Sequence, residues 1–411
     1  MSFALRLMVL VVAACWVGLS ASPALAADEV RVANAGIGGQ TSAEGLSRFD
    51  RDVIEAKPQH LVIYFGMNDA CNSRKLVPVD QYESNLQGMI DRARDAGVQT
   101  IVLVTPNPVV DAYLAMRHDS HPNEGRFQQW LDQYDAVVRK TAEANDLPLA
   151  DLRALCDAHG GADIVEQSLI RNTVNANSDD GVHLTDDGYR LMAEMIAGIL
   201  QDNIKPGDTV VCIGDSITYG SAMDGEGTAY GQTYPAWLWL YLNQHLGATD
   251  RDTPRVYEND APDNLVLNGD FETSEDGVHP MYWRSYRMPD TMTSPAHHGD
   301  AAVHLHNRFT APKMFTYIPP IDIRGGQTYR YRFAVRGEGT IRPMMRMTGN
   351  GVSELHPAAD DESSWVEATD AWQEHGGEVV APDGARRMSL MFQVEAKGQV
   401  TLDAVSVTIA P

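Results

Sequence analysis

Cysteine is scarce in this chain and basic residues are outnumbered. Its 411 residues include 4 Cys, and 32 Lys and Arg stand against 56 Asp and Glu, a formal net charge of −24. So acidic a chain repels phosphate backbones and anionic lipid, so neither nucleic acid nor a membrane surface is an expected partner. Acidity alone names no substrate. Apart from one run near the start, no segment approaches the ~20 apolar residues needed to cross a bilayer. No Cys/His spacing suits zinc, and there is no internal repeat or low-complexity tract.

The one apolar run, residues 7–19, follows Arg6 and leads to Ala24-Leu25-Ala26, just ahead of Ala27 and Asp28. A basic residue, an apolar stretch and a small-residue cleavage site read as an export signal over 1–26, removed rather than membrane-spanning. The expected location is secreted or periplasmic. Val12-Ala13-Ala14-Cys15 resembles a lipobox, which offers lipid anchoring at Cys15 as an alternative, although the apolar stretch continues past it. Cleavage leaves Cys71, Cys156 and Cys212, so at least one is unpaired within a monomer. Cys212 sits in an apolar strand, as a buried thiol would. Cys71 and Cys156 follow strand ends and could pair in an oxidising compartment, but sequence carries no distance.

The remaining length suits two domains. Over 27–247, short apolar runs at 30–33, 60–65, 100–105, 147–152 and 209–213 alternate with helical patterns at 81–96, 126–145, 187–202 and 234–246. This alternation predicts a three-layer α/β/α domain around a parallel sheet. Residues 248–263 are polar and proline-containing, as in a linker, although 255–260 also resembles an edge strand ending in an Asn turn. Over 264–411 the helical period disappears. Short alternating runs between Gly, Pro, Asp and Asn predict an antiparallel β-sandwich.

Four blocks in the first domain carry chemistry. In Cys212-Ile213-Gly214-Asp215-Ser216, an apolar strand runs straight into a serine at the sheet's carboxyl edge, where ligands of open α/β sheets bind. Alone, this is equally an ordinary strand-to-loop turn. Asp180-Gly181-Val182-His183 precedes a helix and lets one loop supply both an imidazole base and the carboxylate that orients it. An isolated block of this kind is more often a helix-start turn. Gly66-Met67-Asn68-Asp69 and Asn34-Ala35-Gly36-Ile37-Gly38-Gly39 each follow a strand and place amides and small residues at the same edge, as an oxyanion site requires. A phosphate loop is not indicated, because no Lys-Ser/Thr follows the glycines.

Together the four blocks resemble the SGNH, or GDSL-like, hydrolase superfamily, over roughly residues 28–246. The resemblance implies a flavodoxin-like sheet with Ser216 as nucleophile and His183 as base, oriented by Asp180. The Ser216 N–H, Gly39 and Asn68 would be the oxyanion donors, and catalysis would need no cofactor or metal. The order of the blocks departs from the family, in which Gly-Asp-Ser comes first. Here the helix over 187–202 runs through a short connection into the nucleophile strand, which implies a circular permutation. A neighbouring subunit could complete the site by swapping, but one chain holds every block and a monomer is expected.

The segment 113–125 would lie above the site, with Arg117, His118 and His121 as candidate substrate contacts beside a plain reading as solvated loop polarity. Trp237 and Trp239 point to different faces of their helix, so at least one is expected in the core. The start of the second domain, Asn264 to Glu272, and its closing Asp403-Ala404-Val405 resemble jelly-roll carbohydrate-binding modules. That resemblance implies sugar stacking by exposed aromatics, with Trp283, Tyr286, Trp365 and Trp372 as candidates, although most large aromatics in a sandwich are core. It also implies a structural Ca²⁺ with oxygen ligands, for which Glu272 and Asp403 are candidates. The expected function is an exported serine esterase that O-deacetylates a polysaccharide or oligosaccharide. The rivals are a lipase or thioesterase of the same fold and a non-catalytic sugar-binding or adhesion protein.

Overall fold

The computed structural model describes residues 29–123, 125–257, 261–285, 288, 290–358 and 360–410. The export signal with Cys15, the end of the proposed edge strand at 258–260, and Tyr286 lie outside the described residues.

Five parallel strands form the first sheet: β1 (Arg31–Gly36), β2 (His60–Tyr64), β3 (Thr100–Val104), β4 (Leu149–Ala150) and β5 (Thr209–Gly214). Their spatial order is β1-β5-β2-β3-β4, so the last of the five in chain order lies between the first two. Counting β5 as the first strand makes the order 2-1-3-4-5, the flavodoxin-like arrangement. Between and after these strands run α1 (Ser42–Ser47), α2 (Met67–Cys71), α3 (Val79–Asp95), α4 (Asp111–Arg117), α5 (Phe127–Ala144), α6 (Leu152–Asp157), α7 (Asp186–Leu200), α8 (Ser216–Tyr219) and α9 (Tyr234–His245).

Alternation along the strands sends side chains to opposite faces. Val62, Val102, Val210 and Cys212 pack with α7 and α9, in a core that includes Tyr189, Met192, Leu238 and Trp239. Leu61, Ile63, Val211 and Ile213 pack with α3 and α5, against Leu86, Ile90, Phe127 and Leu131. Both faces of the sheet are therefore covered, which is why its strands read as continuous apolar runs. The same division separates the cysteines. Cys71 lies in the α3/α5 core and Cys156 in the α7/α9 core, both buried and free, so these two do not pair. Burial raises all three thiols above their ordinary range, Cys156 and Cys212 to about 12.

The second domain is an antiparallel sandwich of β6 (Trp283–Ser285), β7 (Asp290–Thr293), β8 (Ala302–His306), β9 (Lys313–Tyr317), β10 (Ile321–Asp322), β11 (Thr328–Gly349), β12 (Val352–His356), β13 (Val366–Ala368), β14 (Gln373–Val380), β15 (Arg387–Val394) and β16 (Gln399–Ile409). The first half of β11 pairs with β14 and β16, and its second half with β12, β13 and β15, so one strand serves both sheets. Gly337 marks the crossing. Its φ is +128°, and a Cβ there would meet the Gln399 carbonyl at 2.4 Å.

Residues 254–257 form no strand, so among the described residues the expected edge strand is absent and the linker packs against the domains instead. Arg255 accounts for much of this, with its guanidinium 4.5 Å from the Tyr230 ring centre and 4.0 Å from that of Trp239. The sandwich is bonded to the carboxyl end of β1. Arg284 donates to the carbonyls of Asn34 (2.7 Å) and Gly36 (2.9 Å), and Glu275 accepts the N–H of Asn34 at 3.0 Å.

Candidate active site

The β5 strand ends at Gly214, and the chain turns at once into α8. Asp215 caps this short helix, its Oδ1 accepting the Ile217 N–H at 2.9 Å. Gly214 is required by close approach, since a Cβ would lie 2.0 Å from Thr218 Oγ1 and 2.6 Å from the Tyr64 carbonyl. Ser216 thus occupies the first turn of α8, above the carboxyl edge of the sheet.

The Asp180–His183 loop arrives from the far side of the chain, just before α7. Asp180 Oδ1 accepts the N–H groups of Val182 (3.1 Å) and His183 (3.0 Å), which folds the loop back on itself. Its carboxylate also meets His183 Nδ1 at 2.9 and 3.0 Å, and His183 Nε2 lies 2.9 Å from Ser216 Oγ. Burial would raise the Asp180 carboxyl, but the hydrogen bonds and charge of His183 outweigh it and lower it to about 2. Asn107, which no motif marked, braces this loop. It accepts the Tyr64 hydroxyl at 2.6 Å and donates to the Val182 carbonyl at 2.9 Å.

A cavity of about 490 Å³ opens at this point, lined by Ser216, His183 and Asp180 together with Gly39 and Asn68. The five residues named from separate sequence blocks therefore meet in one pocket. Asn68 donates from Nδ2 to Asp215 Oδ2 at 3.2 Å. Asp215 is fully buried, and burial pushes its carboxyl up to about 7. Below the floor, the buried Arg48 donates to the carbonyls of Ala35 (2.7 Å) and Gly214 (2.9 Å), tying the ends of β1 and β5 together. A lone arginine in a helical segment gave no signal of this role.

The loop candidates divide. Arg117 and His118 line the cavity. Arg117 is engaged, donating to the Asp179 carbonyl at 3.0 Å and to that of Asp180, while His118 Nδ1 lies 3.3 Å from Ser73 Oγ. His121 is not a pocket residue. It is buried between Phe127 and Trp130, with Nε2 2.7 Å from the Ala70 carbonyl and Nδ1 accepting the Asn123 N–H at 3.1 Å.

The sandwich candidates also divide. Trp283 is a core residue, not a stacking platform. It is buried, its ring stacks on Phe315 at 5.2 Å, and its indole N–H donates to the Asn268 carbonyl at 3.0 Å. Trp365 and Trp372 are partly exposed and carry Arg342 and Arg336 over their rings, at 4.7 and 4.8 Å. Glu272 accepts the N–H of Asp300 and of Ala301, and Asp403 those of His297, His298 and Ala404. The two carboxylates thus hold neighbouring N–H groups of one loop, 297–301. Among the described residues, no group of three or more His, Cys, Asp or Glu side chains is arranged to hold a metal ion.

Known proteins match part of the chain. Residues 13–191 fit the model of the GDSL-like lipase/acylhydrolase family. The uncharacterised lipoprotein YqeF of Bacillus subtilis (strain 168) is 30% identical over 177 residues, covering 40% of this chain and 71% of that protein. The chain belongs to the GDSL-like lipase/acylhydrolase family. The acetylxylan esterase of Geobacillus stearothermophilus is 29% identical to this acylhydrolase-family chain over 132 residues. That match covers 30% of this chain and 55% of the esterase, so the chain spans only about half the length of that relative. For the sandwich, the CBM22-1 xylan-binding domain from Paenibacillus barcinonensis Xyn10C is 14% identical, covering 34% of this chain and 91% of that domain, with a TM-score of 0.28. Among the described residues, no helix of this acylhydrolase-family chain is long and apolar enough to cross a membrane.

Proposed function

We propose that the chain is an exported serine esterase that removes O-acetyl groups from a polysaccharide or oligosaccharide. The observation that carries this is the continuous line from Asp180 through His183 to Ser216 Oγ, with 2.9 Å contacts at both ends of the imidazole, opening on a pocket that Asn68 and Gly39 also line. His183 takes the Ser216 proton as Oγ attacks the ester carbonyl, and Asp180 steadies the imidazolium that forms. The Ser216 N–H, the Gly39 backbone and the Asn68 amide receive the tetrahedral oxyanion. His183 then protonates the departing sugar oxygen, which leaves as the free hydroxyl, and a water activated by the same imidazole releases acetate.

The carbohydrate part of this reading draws on the kinship to an acetylxylan esterase and on the second, β-sandwich domain. Export draws on Arg6, the apolar run over 7–19 and the small-residue site at 24–26. Circular permutation accounts for β5 being the last strand of the parallel sheet in chain order yet second in spatial order. All three relay residues belong to one chain, as a monomeric enzyme requires.

The test is hydrolysis of p-nitrophenyl acetate by the unsubstituted protein beside Ser216→Ala. Turnover that falls by at least about 10³-fold in the variant, with steep preference for acetyl over longer acyl esters, is expected. Equal rates in the two folded proteins would remove Ser216 from the chemistry, and a preference for long chains would favour the lipase or thioesterase assignment.

A further inference from the structure

Two chain segments run from the catalytic pocket directly to a second cavity. His183 and Ser221 line the pocket, and Asp186 and Asp224, each three residues further on, line a separate cavity of about 580 Å³. With consecutive Cα atoms ~3.8 Å apart, each segment bridges the two cavities over at most about 11 Å. The wall of the second cavity comes from the start of α7, the loop after α8, α9, the linker and Tyr282 of the sandwich, so it lies where the two domains and their connection meet.

Its composition differs from that of the catalytic pocket. The rings of Tyr230, Trp237 and Tyr257 stand beside the carboxylates of Asp186 and Asp224 and the amide of Gln232. Trp239, two positions along α9, is buried under Arg255, whereas Trp237 is only partly buried and lines the cavity, with Tyr241 stacked on it at 6.0 Å and 27°. The indole N–H of Trp237 is buried and has no hydrogen-bond partner among the described residues. Val256, at the rim, is 72% exposed, apolar surface left open by the described residues. An aromatic face for apolar C–H groups, ringed by carboxylates and an amide that bind hydroxyls, matches the two-sided chemistry of a sugar ring.

We propose that this cavity is a distal subsite for the saccharide that bears the ester, seating a sugar ring against Trp237 with its hydroxyls on Asp186, Asp224 and Gln232 while the acyl group lies at Ser216. This rests on the esterase assignment and adds a second point of contact to it. Such a subsite acts on KM for oligosaccharides and has nothing to hold in a small aryl ester.

The test uses the full-length protein and its Trp237→Ala and Asp224→Asn variants. For each, kcat/KM is measured on acetylated xylo-oligosaccharides and on p-nitrophenyl acetate, and the ratio of the two is taken, which cancels any loss of folded enzyme. The ratio is expected to fall about tenfold in each variant, through KM for the oligosaccharide, the scale of one lost stacking or charge-assisted contact. Ratios equal to that of the unsubstituted protein in both variants would overturn the subsite. If the unsubstituted protein hydrolyses neither substrate, the esterase assignment falls, and calorimetric titration of Ser216→Ala with the same oligosaccharides reads the subsite separately. Binding that weakens on adding Trp237→Ala upholds it, and no binding to Ser216→Ala rejects it.

Discussion

At the scale of single residues, two carboxylates near Ser216 are driven in opposite directions by their surroundings. Asp180 is partly buried but bonded to an imidazole and two backbone N–H groups, and it is lowered to about 2. Asp215 is fully buried and raised to about 7 by that burial, offset only in part by the Ile217 N–H and the charge of His183. The first therefore stays anionic throughout the working range and can support a positive His183. The second performs a positioning task, capping α8 and holding Asn68 Nδ2 at 3.2 Å, so that one hydrogen of the amide is tied down and the other is left for the pocket. If Asn68 is an oxyanion donor, Asn68→Ala should lower kcat by about 10²–10³-fold with little change in KM, because the lost bond is made mainly in the transition state. Steady-state kinetics on p-nitrophenyl acetate separate this from a binding role, in which KM rises and kcat holds.

At the scale of elements, the placement of Ser216 depends on a strand that ends where a side chain would no longer fit. A Cβ on Gly214 would strike Thr218 Oγ1 and the Tyr64 carbonyl, and the latter cannot move without disturbing β2. Gly214→Ala is therefore expected to shift the first turn of α8 and cost about 10²-fold or more in kcat, since misplacement by ~1 Å is enough. Circular dichroism should still show the folded sheet, and a variant with full activity would mean that the turn has slack the packing does not suggest. The elements themselves were legible because buried parallel strands are short unbroken apolar runs. The helices at 81–96, 126–145, 187–202 and 234–246 are found as Val79–Asp95, Phe127–Ala144, Asp186–Leu200 and Tyr234–His245. The run over 147–152 shrinks to the two residues Leu149–Ala150, because Asp151 turns outward to cap α6. The meeting of Ser216, His183, Asp180, Gly39 and Asn68 was legible for a related reason, as each block follows a strand or precedes a helix and so returns to one sheet edge. Individual aromatics were not legible in this way. Nothing in the local pattern separates the buried Trp283 from the partly exposed Trp365, since that depends on which sheet the strand joins and what packs over it.

At the scale of the whole molecule, the junction between the domains was the least legible part, although the sequence held a clue. The tetrapeptide Asp-Gly-Val-His occurs twice, at 180–183 and at 276–279. The second copy folds like the first, with Asp276 accepting the N–H groups of Val278 and His279 (both 2.8 Å) and lying 2.6 Å from His279 Nδ1. It faces Glu55 of the first domain, 3.8 Å from Nε2, instead of a serine, so the same local motif serves docking here. Asp52, Arg51 and Asp290 complete the buried cluster, with Arg51 donating to the Ser285 carbonyl across the junction. Burial alone would lower His279, but Asp276, Glu55 and Asp290 outweigh it and raise it to about 10. Asp290 is raised to about 7 by its burial, as is the nearby interdomain carboxyl of Glu275. The sign is the same for all three, because each holds its proton more tightly folded than unfolded. The two carboxyls contribute stability that is present below ~4 and lost as pH rises to about 7. His279 contributes stability that is present below ~6.5 and lost as pH rises to about 10. Above about pH 8 the carboxyls have largely titrated and His279 remains the cluster's chief proton donor. The thermal midpoint of the unsubstituted protein should therefore fall between about pH 8 and 9.5, and more steeply than that of His279→Gln, which keeps a hydrogen-bonding side chain but no proton to lose. His279→Leu, which leaves Asp276 buried without its partner, should cost about 3 kcal/mol or more at neutral pH. Parallel slopes for the unsubstituted protein and His279→Gln would mean that the junction is held without a charged His279, leaving Arg284 and Arg51 as the cations that dock the sandwich on the end of β1.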